Sequence, residues 1–572
     1  MDVMDIMDIM DICDASLFGH NFEITRRTGF GGVYSEMIVN RRLKKEGSDV
    51  PLGFYGIKRD KTRGIGQMSD QLVFLSHLDY VFKIWLGPCR PGVIKVAVKS
   101  RYFKIFHEAE IEVGGNAPQY AESRFKILPS VTDCVLELTW DEKTQPEIQA
   151  ISLSESTSFY GMRRDVLDRL KEMRPGNLRF PGGCLAEFYD WKDGLLPLHE
   201  RKGLYIAELP FLLPQTLGTD PHDVGIDEFV MACRYVGAKP QITVRLSDNE
   251  PKDAADFVEY CNGSGETEWG RLRMSRGYAE PHGVEVWYIG NELAGFGGNG
   301  LNADGKLAAR RTEEFVAAMK KADPSIKTVG SSWINADGSP SRWTDDFIDT
   351  YSGFDLASVH NYLNDFSGMY GEAKDDGDIQ KVADAPWDYL LPHLQKANER
   401  LGGKDMSFDE WNYLWDRYGS AFTGIYAAGV LHMLIKNQKK LKIDHACYFN
   451  PLNESAIRIT RAKAELAPDG IIFKYLSEHI GGVVLEDRYS TKKLDVLQTK
   501  HDGEKGGKIV TSIINRDVRS AQENPVKEKG ERHISISPAD GDIRHSDFCV
   551  AESKKAIGTI LPMSLIVVVS GI

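Results

Sequence analysis

The chain has 572 residues, of which 42% are hydrophobic and 27% charged, and a formal net charge of −13. That length exceeds one ordinary domain and the composition is globular. An acidic balance without long Lys or Arg runs argues against nucleic acid and anionic membrane as partners, and no stretch of about 18 apolar residues suggests a spanning helix.

Residues 1–13 repeat a short acidic unit and read as a disordered leader rather than a secretory signal. The eight cysteines show neither paired spacing nor His partners at zinc spacing. Reduced thiols, no metal and a cytoplasmic location are therefore expected. Residues 14–30 alternate polar and apolar side chains and are expected to pair as a strand with the C-terminal sandwich. The apolar run that follows places the first barrel strand near 33–38, with Glu36 as a lone acid that is costly unless paired or functional.

Residues 50–155 hold short period-two runs such as Val81–Leu86, Ile94–Lys99 and Cys134–Trp140, separated by turn residues. They predict an inserted β-sandwich, a build shared by sugar-binding modules. After residue 156 the chain alternates helix and strand, with strands near 178, 241, 285, 328, 355, 406 and 444. With the strand near 33–38, these predict a (β/α)8 TIM barrel over 31–49 and 156–455, and 456–572 reads as a C-terminal β-sandwich. The fold class is thus multidomain α/β plus β.

Two strands end in carboxylates, Val-Trp-Tyr-Ile-Gly-Asn291-Glu292 and Met-Ser-Phe-Asp-Glu410-Trp411. On strands four and seven of one barrel, both point into one mouth, and paired carboxyls are what glycoside hydrolysis requires. Taken singly, Glu292 also reads as a carboxylate at a helix N-terminus and Glu410 as a paired surface acid.

Ordered motifs carry a resemblance from about residue 30 to 480. They are Gly-Gly-Val-Tyr-Ser-Glu36, Leu-Arg-Phe-Pro-Gly-Gly-Cys184, Asp-Trp-Lys-Asp-Gly194, Gly-Ile-Asp-Glu-Phe229, Ala-Ala-Asp-Phe-Val-Glu-Tyr-Cys-Asn-Gly263, Ile-Gly-Asn-Glu292 and Asp-Glu-Trp-Asn412. The chain resembles glycoside hydrolase family 51, dominated by α-L-arabinofuranosidases. The resemblance implies release of terminal arabinofuranosyl units from oligosaccharides with retention and no cofactor, in a family whose members commonly form homo-oligomers. Glu292 becomes the general acid/base, expected to be protonated through burial, and Glu410 the ionised nucleophile.

By the same resemblance Glu36 and Arg179 hold sugar hydroxyls, Asn291 binds the 2-hydroxyl and Tyr362 touches the nucleophile. Cys184, His360, Trp411 and Asn450 are further candidates for lining the sugar pocket. Glu36 with Arg179 also reads as a buried ion pair, His360 as a core histidine and Cys184 as a buried thiol. The chain departs from the family pattern in residues 185–188, at Asn450, and in the glycine-rich 293–300, which lacks the family's common Trp. An endo-β-glucanase, another furanosidase and a non-catalytic carbohydrate-binding protein are the alternative readings.

Overall fold

The computed structural model describes residues 11–571 apart from 26, 46–47, 206–218, 336, 364–372, 374, 414–418, 454, 504–505, 527–529 and 540–542. The expected leader thus lies largely outside the described residues. Eight parallel strands close a barrel: β1 Gly19–Asn21, β2 Asn177–Phe180, β3 Lys239–Val244, β4 Val286–Ile289, β5 Lys327–Gly330, β6 Leu356–Tyr362, β7 Met406–Asn412 and β8 Ile443–Tyr448. Helices follow the later strands where the apolar periodicity places them. Ile226–Val236, for example, ends at Gly237, whose positive φ of 85° suits a left-handed cap. Among the described residues no helix is long and apolar enough to cross a membrane.

The first strand departs from expectation. Gly19–Asn21 closes the barrel, pairing Asn21 with Arg179 on β2 and His20 with Tyr448 on β8. It does not join the C-terminal sheet; that contact falls to Ile12, which bridges Val483. Nor is 33–38 a barrel strand. Its apolar residues are shared between two cores, Val33 and Tyr34 with the barrel, Met37 and Ile38 with the inserted sandwich. This double burial explains the apolar run without pairing to a barrel strand, while the true strand is three residues long and carries His and Asn.

Between β1 and β2 a five-stranded antiparallel sheet faces a three-stranded one, Gln119–Phe125, Tyr80–Leu86 and Ile148–Glu155. Phe82 and Ile84 of the smaller sheet join Ile94, Val96, Leu136 and Leu138 of the larger in one apolar cluster. Beyond the barrel a six-stranded antiparallel sheet contributes Val510, Ile534 and Leu565 to the barrel's own core.

Candidate active site

Both carboxylates reach the C-terminal mouth of the barrel, each by a local irregularity. β4 runs Val-Trp-Tyr-Ile, fully buried, and ends at Gly290, φ 75°. Glu292 then takes a left-handed conformation, φ 43° and ψ 45°, unusual for a residue with a Cβ and of the kind that collects at functional sites. The strain is held by Gly295 and Phe296, whose N–H groups donate to the Glu292 carbonyl, and by Glu187, which accepts from the Asn291 N–H at 3.2 Å.

β7 carries one extra residue relative to β6: Ser358 faces Ser407, whereas His360 faces Glu410. Strict alternation would send Asp409 and Glu410 to opposite sides; the bulge lets both meet the same partners. Arg179 on β2 binds Glu410 Oε1 at 2.7 Å and lies 3.4 Å from Asp409. Its other donors reach Asn291 Oδ1 at 2.6 Å and Asn21 Oδ1 at 3.1 Å, and its guanidinium lies over the Tyr288 ring at 4.5 Å. Tyr362 donates to Glu410 Oε2 at 2.5 Å.

His360 joins the acids. Nδ1 lies 2.8 Å from Glu292 Oε1 and 3.5 Å from Glu410 Oε2, and Nε2 lies 3.1 Å from Asp409 Oδ2. Burial works against its charge, but Glu410, Asp409 and Glu292 outweigh it and hold the imidazole well above its ordinary range. Burial pushes the Glu410 carboxyl up, with Glu292 adding to this, while His360, Arg179 and Tyr362 oppose it. Asp409 is also penalised by burial, yet His360 and Arg179 keep it below the ordinary carboxylate range.

The expected burial of Glu292 is corrected: its side chain is 15% exposed against 4% for Glu410, because the turn after β4 sets it at the rim. An oxygen of each carboxylate and a ring nitrogen of His360 lie within 4.8 Å of one another. Such a trio could hold a cation, but here the imidazole already bridges the acids as a hydrogen-bonding partner.

Cys184 is at the site, its Sγ 3.9 Å from Glu292 Oε2. Asn291 is buried, and its Nδ2 finds no hydrogen-bond partner among the described residues, leaving a donor for a ligand. The structure does not bring Glu36, Trp411 or Asn450 into direct contact with this pair. Glu36 is consumed structurally: it accepts from Met37, Ile38 and Leu153 N–H groups and from Ser152 Oγ, with Arg41 3.8 Å away. Trp411, beyond the bulge, packs on Phe408, Tyr448 and Phe473 in the core. Asn450 Nδ2 donates to the carbonyl of Glu23 and to Thr28, bracing the loop after β1.

Sequence reasoning missed Glu23, Glu187 and Asp409. Glu23, two residues past β1, accepts from Leu185 N–H at 3.0 Å and helps raise the Tyr362 phenol, whose main perturbation is burial. It is the strand-one carboxylate that Glu36 was expected to be. Glu187 also accepts from Ser247 Oγ at 2.6 Å and so ties the β2, β3 and β4 ends together. Asp409 stood in the quoted motif beside Glu410, and only the bulge reveals its direction.

Residues 169–374 match the family described as α-L-arabinofuranosidase 1 domain. An intracellular exo-α-(1→5)-L-arabinofuranosidase of Acetivibrio thermocellus is 34% identical over 265 residues, 44% of this chain and 49% of that protein. One of Halalkalibacterium halodurans is 28% identical over 367 residues, 59% of this chain and 70% of that protein. This chain thus spans about half the length of the first relative. A solved arabinose-bound family 51 α-L-arabinofuranosidase shares the fold at 14% identity, with a TM-score of 0.77 and 98% of both chains covered. A closed barrel whose fourth and seventh strands lead to facing glutamates thus carries, over residues 169–374, a segment that matches the α-L-arabinofuranosidase 1 domain family, and over about half their length the chain is similar to intracellular exo-α-(1→5)-L-arabinofuranosidases.

Proposed function

We propose that the protein is a retaining exo-α-L-arabinofuranosidase acting on arabinose-containing oligosaccharides. The observation that carries this reading is the approach of Glu292 and Glu410 oxygens to within 4.8 Å. Double displacement uses carboxyls about 5–5.5 Å apart, whereas inversion needs about 6.5–9.5 Å to seat a water. The names of the relatives support the sugar and an intracellular setting.

Glu410 attacks the anomeric carbon as the bond to the leaving oxygen breaks, and Glu292 gives that oxygen its proton. Water then attacks the same carbon, loses its proton to Glu292 and frees Glu410. The donors of Arg179, Tyr362 and charged His360 stabilise the Glu410 carboxylate between turnovers. The spare Asn291 amide donates to the sugar 2-hydroxyl, where contacts strengthen in the transition state. Glu23, in place of Glu36, accepts a hydroxyl on the β1 side.

Glu410→Ala and Glu292→Ala are each expected to lower turnover of an aryl α-L-arabinofuranoside by about 10³-fold or more. Added azide separates the roles: Glu292→Ala gives the arabinofuranosyl azide of retained configuration, and Glu410→Ala the inverted one. The opposite pairing of products reverses the roles, and near wild-type turnover in either variant sinks the reading.

A further inference from the structure

Side chains alternate along β4: Trp287 and Ile289 join the core around the barrel, whereas Val286 and Tyr288 cluster with Val329 of β5 and Leu356 of β6. Tyr288 is buried, and its hydroxyl is tied to three other strands. It lies 3.1 Å from Gln241 Oε1 on β3, 3.0 Å from Ser407 Oγ on β7 and 2.5 Å from His445 Nε2 on β8. A ring held in this way at its edge keeps one orientation. Its face is turned to β2, where the Arg179 guanidinium stands 4.5 Å from the ring centre. We propose that Tyr288 is a positioning residue for the reaction: its ring face holds the Arg179 guanidinium in the one plane that serves Glu410 and Asn291 together. The inference rests on the assignment of Glu410 as the nucleophile.

The in-plane bonds of Arg179 leave a degree of freedom for such a contact to remove. Nη1 donates to Glu410 Oε1 at 2.7 Å and to Asn21 Oδ1 at 3.1 Å, and Nη2 donates to Asn291 Oδ1 at 2.6 Å. All of these lie on the Nη side of the fork. The Nε–H finds no hydrogen-bond partner among the described residues, so nothing in the plane holds the other side against tilting. The ring supplies the restraint from the face, and the attraction of a cation to a ring is strongest where both are out of water, as here. Burial, with Cys447 and Asp409, holds the Tyr288 phenol well above its ordinary range. Arg179 therefore meets a neutral π face and not another anion. An aliphatic side chain of similar bulk fills the space but does not draw the charge.

The test varies the charge of the ring face at nearly constant shape. Tyr288→Phe keeps the ring, and the partners of the lost hydroxyl keep other bonds: Ser407 Oγ lies 2.7 Å from His445 Nε2, and Gln241 Oε1 accepts from Cys447 Sγ at 3.5 Å. That variant is the baseline for a series in which position 288 carries phenylalanine with one, two and three ring fluorines, which drain the face of negative charge. On an aryl α-L-arabinofuranoside, kcat/KM is expected to fall stepwise, about 10-fold across the series, at unchanged Tm. The acid limb of its pH profile is expected to move to higher pH. Arg179 opposes the upward push that burial gives the Glu410 carboxyl, so a tilted guanidinium leaves the nucleophile protonated to higher pH, while His360, Tyr362 and Glu292 still face it. Tyr288→Leu, which has no π face, is expected to lose at least as much and to shift the limb in the same direction. A flat series or an unmoved acid limb overturns the positioning role and makes Tyr288 a packing residue. Failure of the unmodified protein to turn over the substrate removes the enzymatic reading instead, and the inference falls with it.

Discussion

His360 is the side chain through which the acids of the mouth sense one another. One ring nitrogen faces Glu292 and Glu410 and the other faces Asp409, so its charge depends on all three. Asp409→Asn removes one negative charge from this group and from Arg179 without changing volume. The proton affinity of His360 should fall, because its proton is bound against one charge fewer. The alkaline limb of the kcat/KM profile is expected to move to lower pH, with a loss of about 10²-fold at the optimum. An unmoved limb would make Asp409 a packing residue. Of this constellation Glu292 and Glu410 were legible as carboxylates at the ends of two recognisable strands, whereas Arg179, Asn291, His360 and Tyr362 were candidates through the family resemblance. Glu23 was not: it follows a strand too short and polar to register, and Glu36 stood nearby in a run whose burial has another cause.

Among the elements, β4 and β7 announce themselves by apolar and aromatic residues that fill the barrel, whereas the bulge in β7 has no sequence signature and decides where two carboxylates point. The turn after β2 is matched to that bulge. A Cβ on Gly183 would lie 2.3 Å from Glu410 Oε1, a distance no side chain tolerates. Gly183→Ala must displace either the turn or the nucleophile, and a shift of about 1 Å at a reacting group costs on the order of 10² in rate. The variant is expected to retain its circular dichroism and thermal transition while kcat/KM falls about 100-fold or more; wild-type kcat/KM would show that the turn yields freely.

Across the whole molecule, a buried ionic network joins the inserted sandwich to the barrel. Arg41 pairs with Asp223 and faces Glu36, which grips Ser152 of the sandwich, while Tyr34 donates to Asp220 at 3.1 Å. Burial, reinforced by Asp223 and opposed by the His222 N–H and the Tyr34 hydroxyl, pushes Asp220 from 3.8 up to about 7. Below about pH 4 this carboxyl is neutral in folded and unfolded chains alike. Between about 4 and 7 the folded protein keeps a proton that the unfolded chain releases, so stability falls as pH rises; above 7 the whole cost is present. Asp220→Asn lacks this slope, and its Tm relative to the unmodified protein is expected to rise between pH 5 and pH 8. A constant difference would mean that Asp220 does not titrate in that window. The closing of β1 against β8 also bears on how the protein is made. Gly19 pairs with Cys447, about 430 residues further along the chain. At about 5–20 residues per second of synthesis, β1 waits on the order of 20–90 s for its partner. The sandwich encoded in between has a core of its own and can fold during that interval, carrying the waiting strand beside an already ordered body.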